Sequence, residues 1–149
     1  MGGSTDRIER SVRIAAGADR VWQLVAVPGW WINEGRITEH RVERRGDVDV
    51  VHDPTHGEFP IVTVEHDPPR YAAYRWLASG GAGRAVQDQS TLIEFWVETQ
   101  SDGSVLLRVV ESGFDALDLT EKQRRQDLEE HLSGWAVELA AVESFFDGT

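Results

Sequence analysis

A chain of 149 residues, 40% hydrophobic and 28% charged, has the size and composition of one folded globular unit. Its formal charge of -11 works against nucleic acid and anionic membrane as partners, since both need clustered Lys and Arg; small neutral or cationic molecules and basic protein patches stay open. With no cysteine, disulfides, thiolate nucleophiles and Cys-based zinc sites are excluded.

Residues 1–6 read as a disordered N-terminal end without the apolar core of a signal peptide, and no later run is long enough to span a bilayer. The expected location is cytoplasmic, and residues 7–149 are expected to form a single domain. In RIERSVRIA, alternation predicts a first strand with Ile8, Val12 and Ile14 on its buried side. GADRVWQLVAVPG predicts a short helix that starts near Gly17 or Asp19, offers Val21, Trp22, Leu24 and Val25 as apolar surface, and stops at Pro28-Gly29. WWINEGRI, from Trp30, reads as a second short helix or an irregular connection.

From about residue 38 to 112 the texture changes to strands separated by turn signals. DVDVVHD sets Val48, Val50 and His52 against Asp49, Val51 and Asp53. EFPIVTVEHDPP ends at Asp67-Pro68-Pro69, where proline removes ladder donors. RYAAYRWLA puts Tyr74 and Trp76 on one side, opposite Tyr71, Ala73 and Arg75. The glycine-rich SGGAGRAVQD reads as a hairpin loop, because a phosphate cradle would need a following helix and a lysine. STLIEFWVETQ and SVLLRVVES are joined by Ser-Asp-Gly, a strong hairpin signal. In the last strand Val105, Leu107, Val109 and Glu111 share a side, so Glu111 follows three apolar residues onto the concave face. Trp96 alternates with Ile93, Phe95 and Val97 and falls on the outer face with Glu94 and Glu98, where an exposed ring would mark a homodimer contact.

The C-terminal segment predicts a helix of about seven turns, with Thr120 as N-cap and Gly148 as stop. Leu128, Leu132, Trp135, Leu139, Val142 and Phe146 form its apolar stripe, with Glu129, Glu130 and Glu143 opposite. That stripe must be buried, and the sheet is its large partner. The expected architecture is α+β: a curved antiparallel sheet wrapped around a long C-terminal helix, two short helices after the first strand, and ligand space between sheet and helix.

RSVRIAAGADRVWQLVAVPGWW, VEHDPPRYAAYRWL, TLIEFWVETQSDGSVLLRVVESGF and HLSGWAVELAAVESFF, in that order, resemble the START-like (SRPBCC, helix-grip) superfamily over residues 7 to 147. Within it the chain is similar to bacterial proteins related to the C-terminal domain of the activator of the heat-shock-90 chaperone ATPase. The resemblance implies the helix-grip fold. Its members include lipid carriers, polyketide cyclases and hormone receptors, so it does not select one activity. It also implies a single inward tryptophan near the end of the first helical stretch. One of Trp30 and Trp31 is therefore expected to pack inward and the other to lie at a pocket rim, with Trp31 favoured for the wall.

His52, Asp53, His56 and Glu58 could supply nitrogen and oxygen ligands, but they straddle a turn without metal-site spacing and read as a polar hairpin end. No catalytic motif and no cofactor motif is present; the resemblance implies that Ser112, before Gly113, belongs to the family's strand-to-helix turn. The expected ligand-binding residues are Trp31, Trp76, Phe95 and Trp135 as walls, with His52, Tyr74, Glu111 and His131 as polar groups. His131 and Trp135, four apart on the helix, are surface neighbours. Such a lining suits a small hydrophobic or aromatic molecule with one or two polar groups. Two other classes stay open: a cyclase- or hydrolase-type enzyme using Glu111 or a histidine as acid or base, and a chaperone-associated or regulatory interaction module.

Overall fold

The computed structural model describes residues 7–32, 37, 39–46, 48–54, 57–77, 90–113 and 120–147. Its elements run β1 (Arg7–Ile14), α1 (Ala18–Val25), β2 (Arg41–Arg45), β3 (Val48–Asp53), β4 (Gly57–Asp67), β5 (Tyr71–Leu77), β6 (Ser90–Thr99), β7 (Val105–Ser112) and α2 (Glu121–Asp147). The strands form one antiparallel sheet in the order β1-β7-β6-β5-β4-β3-β2. This is the α+β helix-grip architecture, with α2 packed along the sheet against β1.

Strand parity decides what enters the core. Ile8 and Ile14 of β1, Ile93, Phe95 and Val97 of β6, and Val105, Leu107 and Val109 of β7 are all buried. The predicted Ser-Asp-Gly hairpin forms: Gly103 sits at φ +87, and the Asp102 carboxylate accepts from the Ser104 amide at 3.0 Å. On the outer face the Trp96 ring is flanked by Tyr71 at 5.2 Å between centroids and by the Arg108 guanidinium at 4.4 Å.

β4 carries an irregularity between Thr63 and Glu65. The extra residue shifts the alternation, so that His66, rather than Glu65, comes to the side of Tyr74. The Tyr74 hydroxyl donates to the Val25 carbonyl at 2.7 Å, and His66 Nε2 lies 2.9 Å from the Tyr74 hydroxyl oxygen. Since the hydroxyl proton is already committed, Nε2 is the donor. Burial holds the His66 pKa below its ordinary value, and it pushes the Tyr74 phenol up. These bonds fix the end of α1 to the sheet.

Thr120 caps α2 in a reciprocal box: the Gln123 amide donates to Thr120 Oγ1 at 3.1 Å, and the Thr120 amide donates to Gln123 Oε1 at 3.0 Å. The stripe differs from expectation at one turn. Trp135, Leu139, Val142 and Phe146 are buried, but Leu132 is 36% exposed. His131 takes the sheet-facing position in that turn, because its imidazole bonds a buried carboxylate of β7. None of the described helices is long and apolar enough to cross a membrane.

Residues 27–32 form tight turns, with Trp30 N donating to Val27 O at 3.3 Å and Ile32 N to Gly29 O at 3.0 Å, the irregular connection that was the alternative to a second short helix. Residues 33–36 and 38 of that segment lie outside the described residues, as do 1–6, His56, the loop at 78–89, 114–119 and Gly148. In β3 the inward residue is Val51, against Gly29, so His52 falls on the opposite face. Gly29 has φ +78, and a Cβ there would come within 2.7 Å of Val51 Cγ2, so both backbone and space demand glycine.

Candidate functional site

The site grows from Glu111. Its position in β7 after Val105, Leu107 and Val109 carries it onto the concave face, flanked across the strands by Ile8 of β1 and Ile93 of β6. There it is 0% exposed. A buried carboxylate must be given donors or it will not stay ionised. Oε1 accepts from His131 Nδ1 at 2.8 Å and Trp135 Nε1 at 2.8 Å. Oε2 accepts from Trp76 Nε1 at 3.0 Å and Thr91 Oγ1 at 2.5 Å. Two bonds to each oxygen fill the usual capacity of a carboxylate. Burial alone would raise the Glu111 pKa, but the bond and charge of His131, with the bonds from Thr91 and Trp135, hold it below the ordinary value.

Around this anchor the space expected between sheet and helix is largely filled by rings. Trp30 and Trp31 are 2% and 4% exposed, so both are inside, and the expected division into wall and rim does not hold. The reason is local. Consecutive side chains diverge in a strand, but the turns at Gly29 bend the backbone so that both indoles insert, edge to face at 6.1 Å. Both rings pack on Phe95, at 5.3 and 5.6 Å, and Trp135 lies 5.8 Å from it.

Two openings border the filled core. A hollow of about 170 Å³ lies between the Trp31, Trp76 and Trp135 rings and the helix residues Glu130, His131, Gly134 and Glu138. The Trp31 Nε1–H is buried without an acceptor among the described residues. Gly134 leaves room on the helix, since a Cβ there would meet nothing within 4 Å. A larger groove, of about 580 Å³, runs between α1 and the C-terminal end of α2, over Leu24, Trp30, His40 and Phe146. His40 Nε2 donates to Asp53 Oδ1 at 3.0 Å.

Of the residues singled out in the sequence, Trp31, Trp76, Glu111, His131 and Trp135 come together at the small hollow. Phe95 supports them from beneath, and Tyr74 turns its hydroxyl to α1 instead. His52 is not part of the group: it sits on the other face of β3, 3.4 Å from Glu43 and 3.2 Å from Glu58. Sequence reading missed Thr91, although a hydroxyl in register with Ile93 and Phe95 was a visible signal. It also missed the His40–Asp53 pair, whose members stand 13 residues apart without any motif.

No family model matches the chain, and no curated protein matches it in sequence. Solved structures do match its shape. A Mesorhizobium loti protein superposes with a TM-score of 0.69 at 15% identity, over 96% of this chain and 98% of that one. An Aha1 dimer from Colwellia psychrerythraea gives 0.65 at 14% identity, over 94% of this chain and 95% of that one. The fold is START-like. The same START-like shape is shared with the Zhui aromatase/cyclase from a Streptomyces species, at a TM-score of 0.60 and 23% identity, covering 95% of this chain and 93% of that one. At these identities the likeness establishes the fold and leaves function to the site.

Proposed function

We propose that the protein binds a small, largely apolar or aromatic molecule at the hollow between β5 and α2. One observation carries this reading: the hollow is walled by three indoles and an imidazole, Glu111 fixes all of these but Trp31, and the Trp31 Nε1–H still lacks an acceptor among the described residues. A rigid apolar wall with a waiting donor is what a ligand carrying a carbonyl or hydroxyl requires. Ligand pockets commonly hold roughly 300–1,000 Å³. At about 170 Å³ the hollow takes one ring-sized or branched group, and the remainder of a larger ligand lies outside it. Titration of tryptophan fluorescence and thermal stability against a broad library of apolar and aromatic compounds tests the reading. Binding that Trp76→Ala weakens supports it; a library without effect on either signal ends it.

A second reading has a specific observation behind it. Glu111 holds His131 at 2.8 Å, and His131 lines the hollow, which is the arrangement of an oriented acid–base imidazole. The shape shared with an aromatase/cyclase is compatible with it. With all its acceptor capacity used, Glu111 would position the imidazole, and His131 would meet the substrate. His131→Asn would then abolish turnover while leaving ligand titration intact. An interaction module is supported less, because Trp96, its expected contact, is shielded by Tyr71 and Arg108.

A further inference from the structure

We infer that the group seated in the hollow is an organic ammonium, borne on an apolar body; the inference rests on the small-molecule reading above and names the ligand class for that site. Three indole rings, Trp31, Trp76 and Trp135, border the hollow. Indole faces carry the negative end of the ring quadrupole and are the strongest aromatic partners of a cation. Two carboxylates, Glu130 and Glu138, stand on the helix side of the same hollow. No Lys or Arg lines it among the described residues, and the Nδ1 of His131, which does line it, is bonded to Glu111. The chain's formal charge of -11 draws cations toward any such opening.

Size agrees with charge. A hollow of about 170 Å³ has room for a methylated ammonium. An oxygen on the same ligand would give the Trp31 Nε1–H its missing acceptor, so an amino alcohol fits better than a bare amine. Gly134 keeps the helix side clear: glycine in a helix interior costs stability, and no neighbour within 4 Å demands it. The absence of a side chain there is explained by the space it leaves.

Choline and neohexanol test this directly, because they have the same shape and hydroxyl and differ in the charge of the central atom. Calorimetric titration is expected to show choline binding about tenfold more tightly than neohexanol, with the difference reduced by added salt. Glu130→Gln, at an exposed position, should weaken choline several-fold and leave neohexanol unchanged. Gly134→Leu, whose Cβ meets no neighbour within 4 Å, should abolish binding of both while the protein keeps its helical circular dichroism. Equal or tighter binding of neohexanol overturns the ammonium inference and leaves the small-molecule reading standing. Choline binding that survives Gly134→Leu overturns the assignment to this hollow. If neither compound binds while other apolar library members do, the ammonium inference alone falls; if the whole library is silent, both fall.

Discussion

Glu111 and His131 meet on the concave face, where β7 faces α2, while Asp53 and His40 meet at the end of β3, and each pair joins a carboxylate to an imidazole. Both are shielded from water: the His40 and Asp53 side chains are 5% and 8% exposed, those of His131 and Glu111 14% and 0%. What differs is which elements the described bonds tie together. Glu111 collects side chains from β5, β6 and α2 as well as its own β7 position, so the sheet and the long helix are tied through one group. The bond between Asp53 and His40 joins β3 to the segment just before β2, its sheet neighbour. Burial of a carboxylate–imidazole pair is therefore a poor guide to its importance; the elements it connects are a better one.

The largest test of that contrast is Glu111→Ala. It leaves three ring N–H groups and one hydroxyl without their acceptor in the core, and should cost about 3–5 kcal/mol in urea unfolding. Acid provides the same test without mutation. The Glu111 carboxyl titrates below its ordinary value of 4.5 when folded, so its stabilising contribution is complete above that value and lost as pH falls through the folded one. The urea midpoint should drop as pH falls below about 4.5, and Glu111→Gln should flatten the part of the drop that this group supplies. Asp53→Ala, at the peripheral pair, should cost only about 1–3 kcal/mol by equilibrium unfolding. An equal loss at both carboxylates would erase the distinction. Smallest is Gly134→Ala, expected to raise stability by about 1 kcal/mol in a thermal melt and to weaken ligand titration. A loss of stability there would mean that the glycine serves packing instead of the hollow.

Much of the centre was legible before the structure. Alternation put Glu111 behind Val105, Leu107 and Val109, and the four-residue spacing put His131 beside Trp135; both readings depend on regular periods, which strands and helices enforce. The tandem tryptophans were misjudged because turns have no such period, and the insertion of both rings depends on Gly29 at φ +78. His52 was misplaced because Val48, Val50 and Val51 give β3 no clean alternation, so the inward side could not be chosen from hydrophobicity. Leu132 lost its place to His131 because one buried carboxylate outweighed a leucine's preference for the core. Whether rings surround space or fill it depends on how they interlock, and spacing along a chain carries no information about that.

The interlocking of Trp30, Trp31, Trp76 and Trp135 has an optical consequence. Trp31 lies 6.1 Å from Trp30, 5.6 Å from Trp76 and 6.1 Å from Trp135, close enough for electronic transitions of neighbouring indoles to couple. Coupled chromophores of fixed handedness give paired circular-dichroism bands of opposite sign, which vanish when their mutual angles are averaged. The core thus carries a built-in signature of its own order: the paired bands report whether these rings hold one arrangement, independently of helix content.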